Sequence, residues 1–289
     1  MKQKALVAVA AALLLPLSAR AQAPADTPKP LDLVRRACDA AGGAQAFRDL
    51  GILKVTIRSQ EVMQDGKQQS RLAILTMLPP GPVPGRMELP EENILAGDDG
   101  NDGWAITSHG PDPRPSTQYM VRRLMRTDLF PVLLPFSLTW KGVGVEGVRA
   151  ASLKGTPVWR LDVRLTTTFF HTAQVSTKWV VDLDRTTLAV LHADSPATDL
   201  GKGIVADGMR FGWKEPVKVG QVWLRGEQTV IGVDEAGASK VHRRVDKIEF
   251  TQLPVSEGDA LFANPIPPDK RPKLPEGKPP AAIENQPKS

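Results

Sequence analysis

The chain has 289 residues, of which 41% are hydrophobic, 5% aromatic and 24% charged, and its formal net charge is +5. The excess positive charge lies towards the two ends, because residues 31–268 carry 28 basic and 28 acidic side chains. A nucleic-acid-binding protein concentrates Lys and Arg on its folded body. The composition therefore argues against nucleic acid as a partner.

The first 23 residues have the pattern of a cleavable signal peptide. Lys2 and Lys4 precede an apolar run over residues 5–15, and the small-residue motifs 19–21 and 21–23 follow it. The run is too short to span a bilayer, which takes about 20 apolar residues, and no later apolar stretch approaches that length. We therefore expect an exported, periplasmic protein without a transmembrane segment.

Composition divides the rest of the chain into three parts. Residues 24–30 are rich in proline and predict an extended linker. The Pro- and Lys-rich residues 269–289 predict a disordered tail. Between them, residues 31–268 are of a length that a single large domain can have.

The predicted domain begins with a helix and continues with strands. Residues 31–41 carry apolar side chains at the i, i+3, i+4 spacing of an amphipathic helix, which Gly42 and Gly43 end. From Ile52 onward, apolar and polar residues alternate as they do in strands, and helices do not alternate with strands as in a parallel sheet. About ten or eleven antiparallel strands are predicted, at residues 53–58, 71–78, 87–89, 93–95, 104–106, 159–165, 175–183, 188–191, 208–213, 221–231 and 240–250.

One internal stretch has a helical rather than a strand pattern. Residues 119–126 predict a basic helix, and the strongly apolar residues 129–138 follow it. Pro131 and Pro135 predict that this second piece is a broken helix, because proline cannot donate the helical hydrogen bond. The broken helix and the N-terminal helix are the candidates to cover one face of the sheet.

The sequence lacks the motifs of metal, cofactor and catalytic sites. The acidic loop 98–103 fails as a calcium loop of the EF type, because Gly100 stands at the third position and His109 at the twelfth. The four histidines have no zinc-site spacing, and no phosphate-binding or nucleophile-elbow motif is present. Cys38, the only cysteine, lies on the apolar side of the first helix and predicts a buried core residue. We expect no metal, no cofactor and no enzyme, with an unrecognised hydrolase as the catalytic alternative.

Several short motifs follow one another in an order that is typical of one family. After the first helix comes AAGGAQAFRDLGILKV, the second strand ends in AILTMLPPG, and NILAGDDGNDGWAI joins a strand, a turn and a Trp-containing strand. The broken helix LFPVLLPFSL, the hairpin TKWVVDLDRTTLAVL and the C-terminal DALFANP complete the series. In this combination the chain resembles, over roughly residues 31–268, the LolA-like periplasmic lipoprotein carriers, or outer-membrane lipoprotein-sorting proteins.

The resemblance implies an α+β fold, mainly β, in which an incomplete antiparallel β-barrel of about ten or eleven strands carries an N-terminal helix and a broken helical lid. It also implies an apolar cavity that holds lipid acyl chains beneath residues 129–138. Where the family has an arginine that holds the lid, just before the proline of the second-strand motif, this sequence has Leu78. The candidate cavity and lid residues are Phe130, Leu133, Leu134, Phe136, Leu78, Trp104, Trp159, Leu161, Val163 and Trp179.

The function that follows from the resemblance is a periplasmic carrier that binds a lipid or lipoprotein and shields its acyl chains. Such a carrier needs no catalytic residue, because about ten buried methylenes contribute roughly 8 kcal/mol before immobilisation costs, enough for micromolar binding. The alternative is an envelope-sensing or protein-interaction module with the same fold and no transported lipid, whose partner is an envelope protein.

Processing of the N-terminus gives the first test. Cleavage after Ala21 or Ala23 satisfies the small-residue rule, so mature protein from the periplasm should begin at Gln22 or Pro24. N-terminal sequencing measures this directly. Recovery of the protein from the cytosol with Met1 intact would contradict export.

Overall fold

The computed structural model describes residues 27–62, 66–100, 103–112, 114–170, 177–195, 198–199, 205–206, 208–233 and 239–271. The predicted signal peptide, residues 1–23, lies outside the described residues. Of the predicted tail, only residues 269–271 are described.

Strands make up most of the described chain. In order they are β1 (Ile52–Val62), β2 (Gln68–Met77), β3 (Gly85–Leu89), β4 (Ile94–Asp98), β5 (Gly103–Thr107), β6 (Gly110–Pro111), β7 (Val143–Leu153), β8 (Thr156–Leu165), β9 (Thr177–Asp184), β10 (Val190–Ser195), β11 (Thr198–Asp199), β12 (Val205–Ala206), β13 (Gly208–Trp213), β14 (Pro216–Val219), β15 (Val222–Arg225), β16 (Glu227–Val233) and β17 (Ser239–Leu253).

Thirteen of these strands form one antiparallel sheet. Its order is β6-β5-β4-β3-β2-β1-β17-β16-β13-β10-β9-β8-β7, and the hairpins β11–β12 and β14–β15 lie apart as two-stranded sheets. The edge strands β6 and β7 do not pair with each other within the described residues, so the sheet stays open. The predicted fold class, a mainly β structure with an incomplete barrel, is confirmed.

Within the described residues there are 17 strands, against about ten or eleven predicted, and two of the differences have a cause that is visible in the sequence. Strand β7 has no clear alternation of apolar and polar residues, because Gly144 and Gly147 interrupt it and most of its side chains are partly or fully exposed. The predicted strand 221–231 is divided at Gly226, where a Cβ atom would lie 2.5 Å from Val217 Cγ1. Its first part therefore pairs with β14 and its second part joins the main sheet.

Five helices are described, together with short 3₁₀ turns. The helices are α1 (Pro30–Ala40), α2 (Ala44–Arg48), α3 (Pro115–Val132), α4 (Thr167–Phe170) and α5 (Gly258–Phe262), and the 3₁₀ turns are Pro90–Glu92, Phe136–Thr139, Val255–Glu257 and Pro268–Lys270. None of the described helices is both long enough and apolar enough to cross a membrane.

Helix α1 ends where it meets the β14–β15 hairpin. Gly42 follows it with a φ of +112°, and a Cβ atom there would lie 2.3 Å from the Gln221 carbonyl oxygen. Only glycine tolerates both the left-handed backbone and this close approach. The Trp223 N–H then donates to the Ala41 carbonyl oxygen at 2.8 Å. The end of α1 is therefore held directly against the hairpin.

The broken helix predicted for residues 129–138 breaks later than expected. Helix α3 continues through Pro131 to Val132, and the break is a turn at residues 133–135 before the 3₁₀ turn Phe136–Thr139. Pro131 is the second-last residue of α3, so it coincides with the end of the helix and does not interrupt its interior. The prediction of a break in this segment is confirmed, and its position moves to Pro135.

The inner face of the sheet has the register that the alternation predicts. In β8, Trp159, Leu161, Val163 and Leu165 are at most 8% exposed and belong to the core. Cross-strand pairing puts Val163 opposite Trp179 of β9. Since directly opposite residues share a face, the apolar rows of neighbouring strands merge into one continuous core.

The outer face carries a row of charges across β8, β9, β10 and β13. Arg160 makes two hydrogen bonds to Asp182, at 2.7 and 2.8 Å, although Asp182 is fully buried. His192 lies between two carboxylates, with Nδ1 3.3 Å from Asp182 and Nε2 3.2 Å from Asp194. Arg210 then pairs with Asp194 at 3.1 Å. Each buried charge in this row therefore has an opposite charge beside it.

His192 should make the stability of the fold pH-dependent. Burial opposes its protonation, but hydrogen bonds and charges from Asp182 and Asp194 outweigh that effect and raise its pKa from 6.5 to about 9. Because the folded-state pKa is raised, this stabilisation is complete below the unfolded-state pKa of 6.5 and is lost as the pH rises through about 9.

A His192→Gln variant isolates this contribution. Between about pH 6.5 and about pH 10, the free energy of unfolding of the wild type should fall by on the order of 2–3 kcal/mol more than that of the variant. Denaturant unfolding at several pH values measures the difference. Parallel pH profiles for the two proteins would show that the histidine is not protonated between its carboxylates.

Candidate functional site

The space between the sheet and α3 is filled by aromatic side chains. The ring of Phe130 lies edge-on to Trp179, with centroids 5.1 Å apart, and to Phe169 at 5.8 Å. Trp179 in turn stacks on Phe211 at 5.3 Å. Such pairs add roughly 0.5–1.5 kcal/mol each beyond the burial of their area. The interior is therefore a packed core in this conformation.

Most of the sequence-predicted cavity and lid residues lie in this core. Phe130, Leu133, Leu134, Phe136, Trp159, Leu161, Val163 and Trp179 are buried members of one hydrophobic cluster, whereas Leu78 is half-buried. Trp104 is buried as well, but it packs over Gly97, where a Cβ atom would lie 2.5 Å from the indole ring, and it does not belong to that cluster. The structure thus brings eight of the ten candidates together.

Residues 129–138, which we call the lid segment, are held from both sides. The Ser137 hydroxyl donates to the Phe130 carbonyl oxygen at 2.6 Å, and the Phe136 ring stacks on Phe47 of α2 with centroids 4.4 Å apart. The Cys38 thiol lies 3.7 Å from the Pro135 carbonyl oxygen. Burial, with the nearby Asp39 charge, raises the pKa of this thiol to about 12, so Cys38 is a protonated core residue, as predicted.

A buried ion cluster anchors the preceding part of α3. Asp98, at the end of β4, is 1% exposed and lies 2.8 Å from Arg122 Nε and 3.9 Å from Arg126 Nη1. Gly85 allows the helix to come close, because a Cβ atom there would lie 2.4 Å from Met125 Cε. Opposite charges at Asp98 therefore hold α3 to the sheet, in a chain that has Leu78 where the LolA-like carriers have arginine.

An open space lies outside the core, beside α1. It is a half-open groove of about 570 Å³, within the range of roughly 300–1,000 Å³ that small-molecule sites occupy. We call it the α1 groove. It is lined by Ala37, Ala40, Ala41, Pro135, residues 187–191, residues 213–216, Trp223 and Arg225.

The groove forms where the small alanine side chains of α1 face larger side chains on the opposite wall. Helix α1 presents alanines on this side, and the backbone hydrogen bond from Trp223 to Ala41 places the β14–β15 hairpin beside them. On the opposite wall, Leu188 adopts a φ of +60°, a conformation that costs a leucine about 1–3 kcal/mol. The Asp184 carboxylate holds this turn by accepting hydrogen bonds from the backbone N–H groups of Thr186 and Thr187.

Charged side chains surround one end of the groove. Lys214 pairs with Glu227 at 2.7 Å, and Lys218 lies over the exposed ring of Trp223, 5.8 Å from its centroid. Arg225 is 8% exposed and lies over the Trp213 ring at 5.8 Å. The site therefore combines an apolar floor with a cationic side chain in its wall.

Sequence reasoning missed the α1 groove. None of the ten candidates lines it, and Pro135 is the point at which the lid segment reaches it. The sequence signals that were available are Trp213 and Trp223 on predicted strands, and Gly42 after the first helix. Their approach to each other depends on the tertiary fold. Within the described ranges, no three His, Cys, Asp or Glu side chains come together as a metal site.

The fold is similar to that of solved structures. A LolA superfamily protein from Nitrosomonas europaea matches with a TM-score of 0.54 at 11% identity, over 82% of this chain and 99% of that chain. A DUF1329 family protein from Desulfovibrio piger matches with a TM-score of 0.49 at 15% identity, over 82% and 98% of the two chains. An outer membrane lipoprotein-sorting protein domain from Vibrio parahaemolyticus has a TM-score of 0.47 at 13% identity, over 81% and 98%.

At the level of sequence, no protein-family model matches the chain, and no curated protein matches it either. The similarity is thus one of fold, and it extends over most of the chain. The resemblance expected from the order of sequence motifs is confirmed in three dimensions. The chain has a LolA-like fold.

Proposed function

We propose that this protein is a periplasmic carrier that binds the acyl chain of a lipid or lipoprotein. The observation that carries the proposal is the half-open α1 groove, which has an apolar floor and borders the lid segment at Pro135. Each methylene that leaves water contributes about 0.8 kcal/mol, so burial of part of one acyl chain is sufficient for binding without any catalytic group.

The lid segment gives this carrier a second, larger binding space. A chain that enters beside Pro135 and extends inward meets Leu133, Leu134 and Phe136, which now fill the interior. Ligand and lid segment then compete for the same apolar wall, formed on the sheet by Leu161 and Val163. The packed core is the closed, ligand-free state in this proposal.

The packed interior also supports the second candidate function, an interaction or envelope-sensing module. In that case the lid segment is a permanent part of the core. The β14–β15 hairpin, where Trp223 is 44% and Val217 39% exposed, is then the contact surface for a segment of an envelope protein. The two candidates differ in whether the purified protein binds an isolated acyl chain.

A substitution that fills the α1 groove tests the carrier function. The fluorescent fatty acid 11-(dansylamino)undecanoic acid should bind the wild type with a micromolar Kd. Ala40 lines the groove, so Ala40→Trp should fill it and weaken binding by roughly tenfold or more, whereas Asp39→Trp, an exposed neighbour outside the lining, should not. Fluorescence titration measures both. A wild type that does not bind the probe would rule out the carrier and favour the interaction module.

A double substitution tests the lid segment. Leu133→Ser with Leu134→Ser weakens the closed state, so the apparent affinity for the same probe should rise, because less binding energy is used to displace the segment. The matched control is Leu53→Ser with Leu75→Ser, two equally buried leucines of β1 and β2 that lie outside the apolar wall for which ligand and lid segment compete.

Both pairs should lower the melting temperature, since each buried Leu that is truncated costs about 2–5 kcal/mol. Only the pair in the lid segment should increase affinity. Thermal unfolding and probe titration on the same samples separate the two effects. If the lid pair loses stability and gains no affinity, residues 129–138 are a fixed part of the core.

A further inference from the structure

Arg225 differs from the other buried arginines in its surroundings. It is the last residue of β15 and is 8% exposed, similar to Arg122 at 8% and Arg126 at 7%. Those two share the Asp98 carboxylate, as described above. Among the described residues, no carboxylate lies within ion-pair distance of Arg225, and no side-chain or carbonyl acceptor is hydrogen-bonded to its guanidinium.

Burial disfavours the charged form of Arg225, and this effect is reflected in its pKa. Burial lowers the pKa of Arg225 to about 10, and the charge of Glu215 offsets only part of that effect. The Trp213 ring beside the guanidinium supplies a cation–π contact, with the guanidinium carbon 5.8 Å from the ring centroid. An aromatic face does not satisfy the N–H donors, which prefer a planar, bidentate anion.

The guanidinium lies in the wall of the α1 groove, next to its apolar floor. Ala40 and Leu188 line the same space, so a chain can lie against apolar atoms while its charged end reaches Arg225. Lys214 is paired with Glu227, and Glu215 is the acidic residue of the lining. Arg225 is therefore the buried cation of the lining, whereas Lys214 is exposed to solvent.

We propose that Arg225 binds the anionic headgroup, a carboxylate or a phosphate, of an amphiphile whose acyl chain occupies the α1 groove. This inference rests on the proposed function and specifies the class of lipid. Neutral glycerides and alcohols of the same chain length lack the group that Arg225 pairs with, and their binding leaves the buried cation unsatisfied.

Matched probes with and without the negative charge test the proposal. The acid 11-(dansylamino)undecanoic acid and its methyl ester share the chain and differ in the headgroup. The wild type should bind the acid roughly tenfold or more tightly than the ester, since hydrogen bonds to charged groups contribute about 1.5–3 kcal/mol. Arg225→Gln should abolish this preference, Arg225→Lys should restore part of it, and Lys178→Gln, an exposed control with the same loss of charge, should retain it.

The outcomes distinguish this inference from the proposed function. If neither probe binds the wild type, the carrier function fails and the headgroup site with it. If both probes bind with equal affinity in the wild type and in Arg225→Gln, the carrier function holds and the anion site is wrong. Inorganic phosphate is the competitor for the acid probe. If phosphate displaces the probe at concentrations near the Kd of the probe, Arg225 binds a free anion, and the proposal that its ligand is an amphiphile is wrong.

Stability gives a readout that does not depend on the probes. Without ligand, Arg225→Gln should melt at the same temperature as the wild type or higher, because a buried charge without a partner is removed. Addition of the acid probe should raise the melting temperature of the wild type and leave that of the variant nearly unchanged. A ligand-free variant that melts well below the wild type would show that Arg225 is a structural residue.

Discussion

Phe130 packs edge-on against Trp179 and Phe169, and Phe136 of the same segment stacks on Phe47. These contacts fill the concave side of an open sheet that would otherwise expose a broad apolar surface to water. Because interiors are close-packed, no ligand can share this space with the aromatic rings while they stay in place. A ligand must bind at the margin of the core, or the lid segment must leave it.

Two clusters of opposite charges pack beside this core. Asp98 with its two arginines holds α3, and Asp182 holds Arg160 and His192 on the outer face. Pairing is the usual condition for a charge that is removed from water, since an uncompensated ion costs several kcal/mol. Arg225 departs from this pattern at the point where the surface opens into the α1 groove. Arg225 and the α1 groove lie at the same place, and we therefore assign both to one ligand.

In the carrier that we propose, the lid segment can move without disrupting the sheet. Helix α3 and the lid segment cover the sheet but belong to no strand pairing, so the thirteen-stranded sheet keeps its backbone hydrogen bonds if they move. Their contacts are side-chain contacts and one buried ion cluster. In this chain the charged anchor lies at Asp98, far in sequence from Leu78, the position that holds an arginine in the family it resembles.

The sequence by itself determined the elements whose signals are local. The spacing of Leu33, Ala37 and Cys38 defines α1, and the alternation from Trp159 to Leu165 sets the inner face of β8, because helical and strand periods act over a few residues. The Gly-interrupted β7 and the division at Gly226 carry no such period, and sequence reasoning missed both. Only the tertiary structure decided the α1 groove, because its walls combine the end of α1 with Pro135, residues 187–191 and residues 213–225, which are separate segments of the chain. Only the tertiary structure shows that Arg225 lacks a partner, since pairing depends on which distant carboxylates the fold brings near.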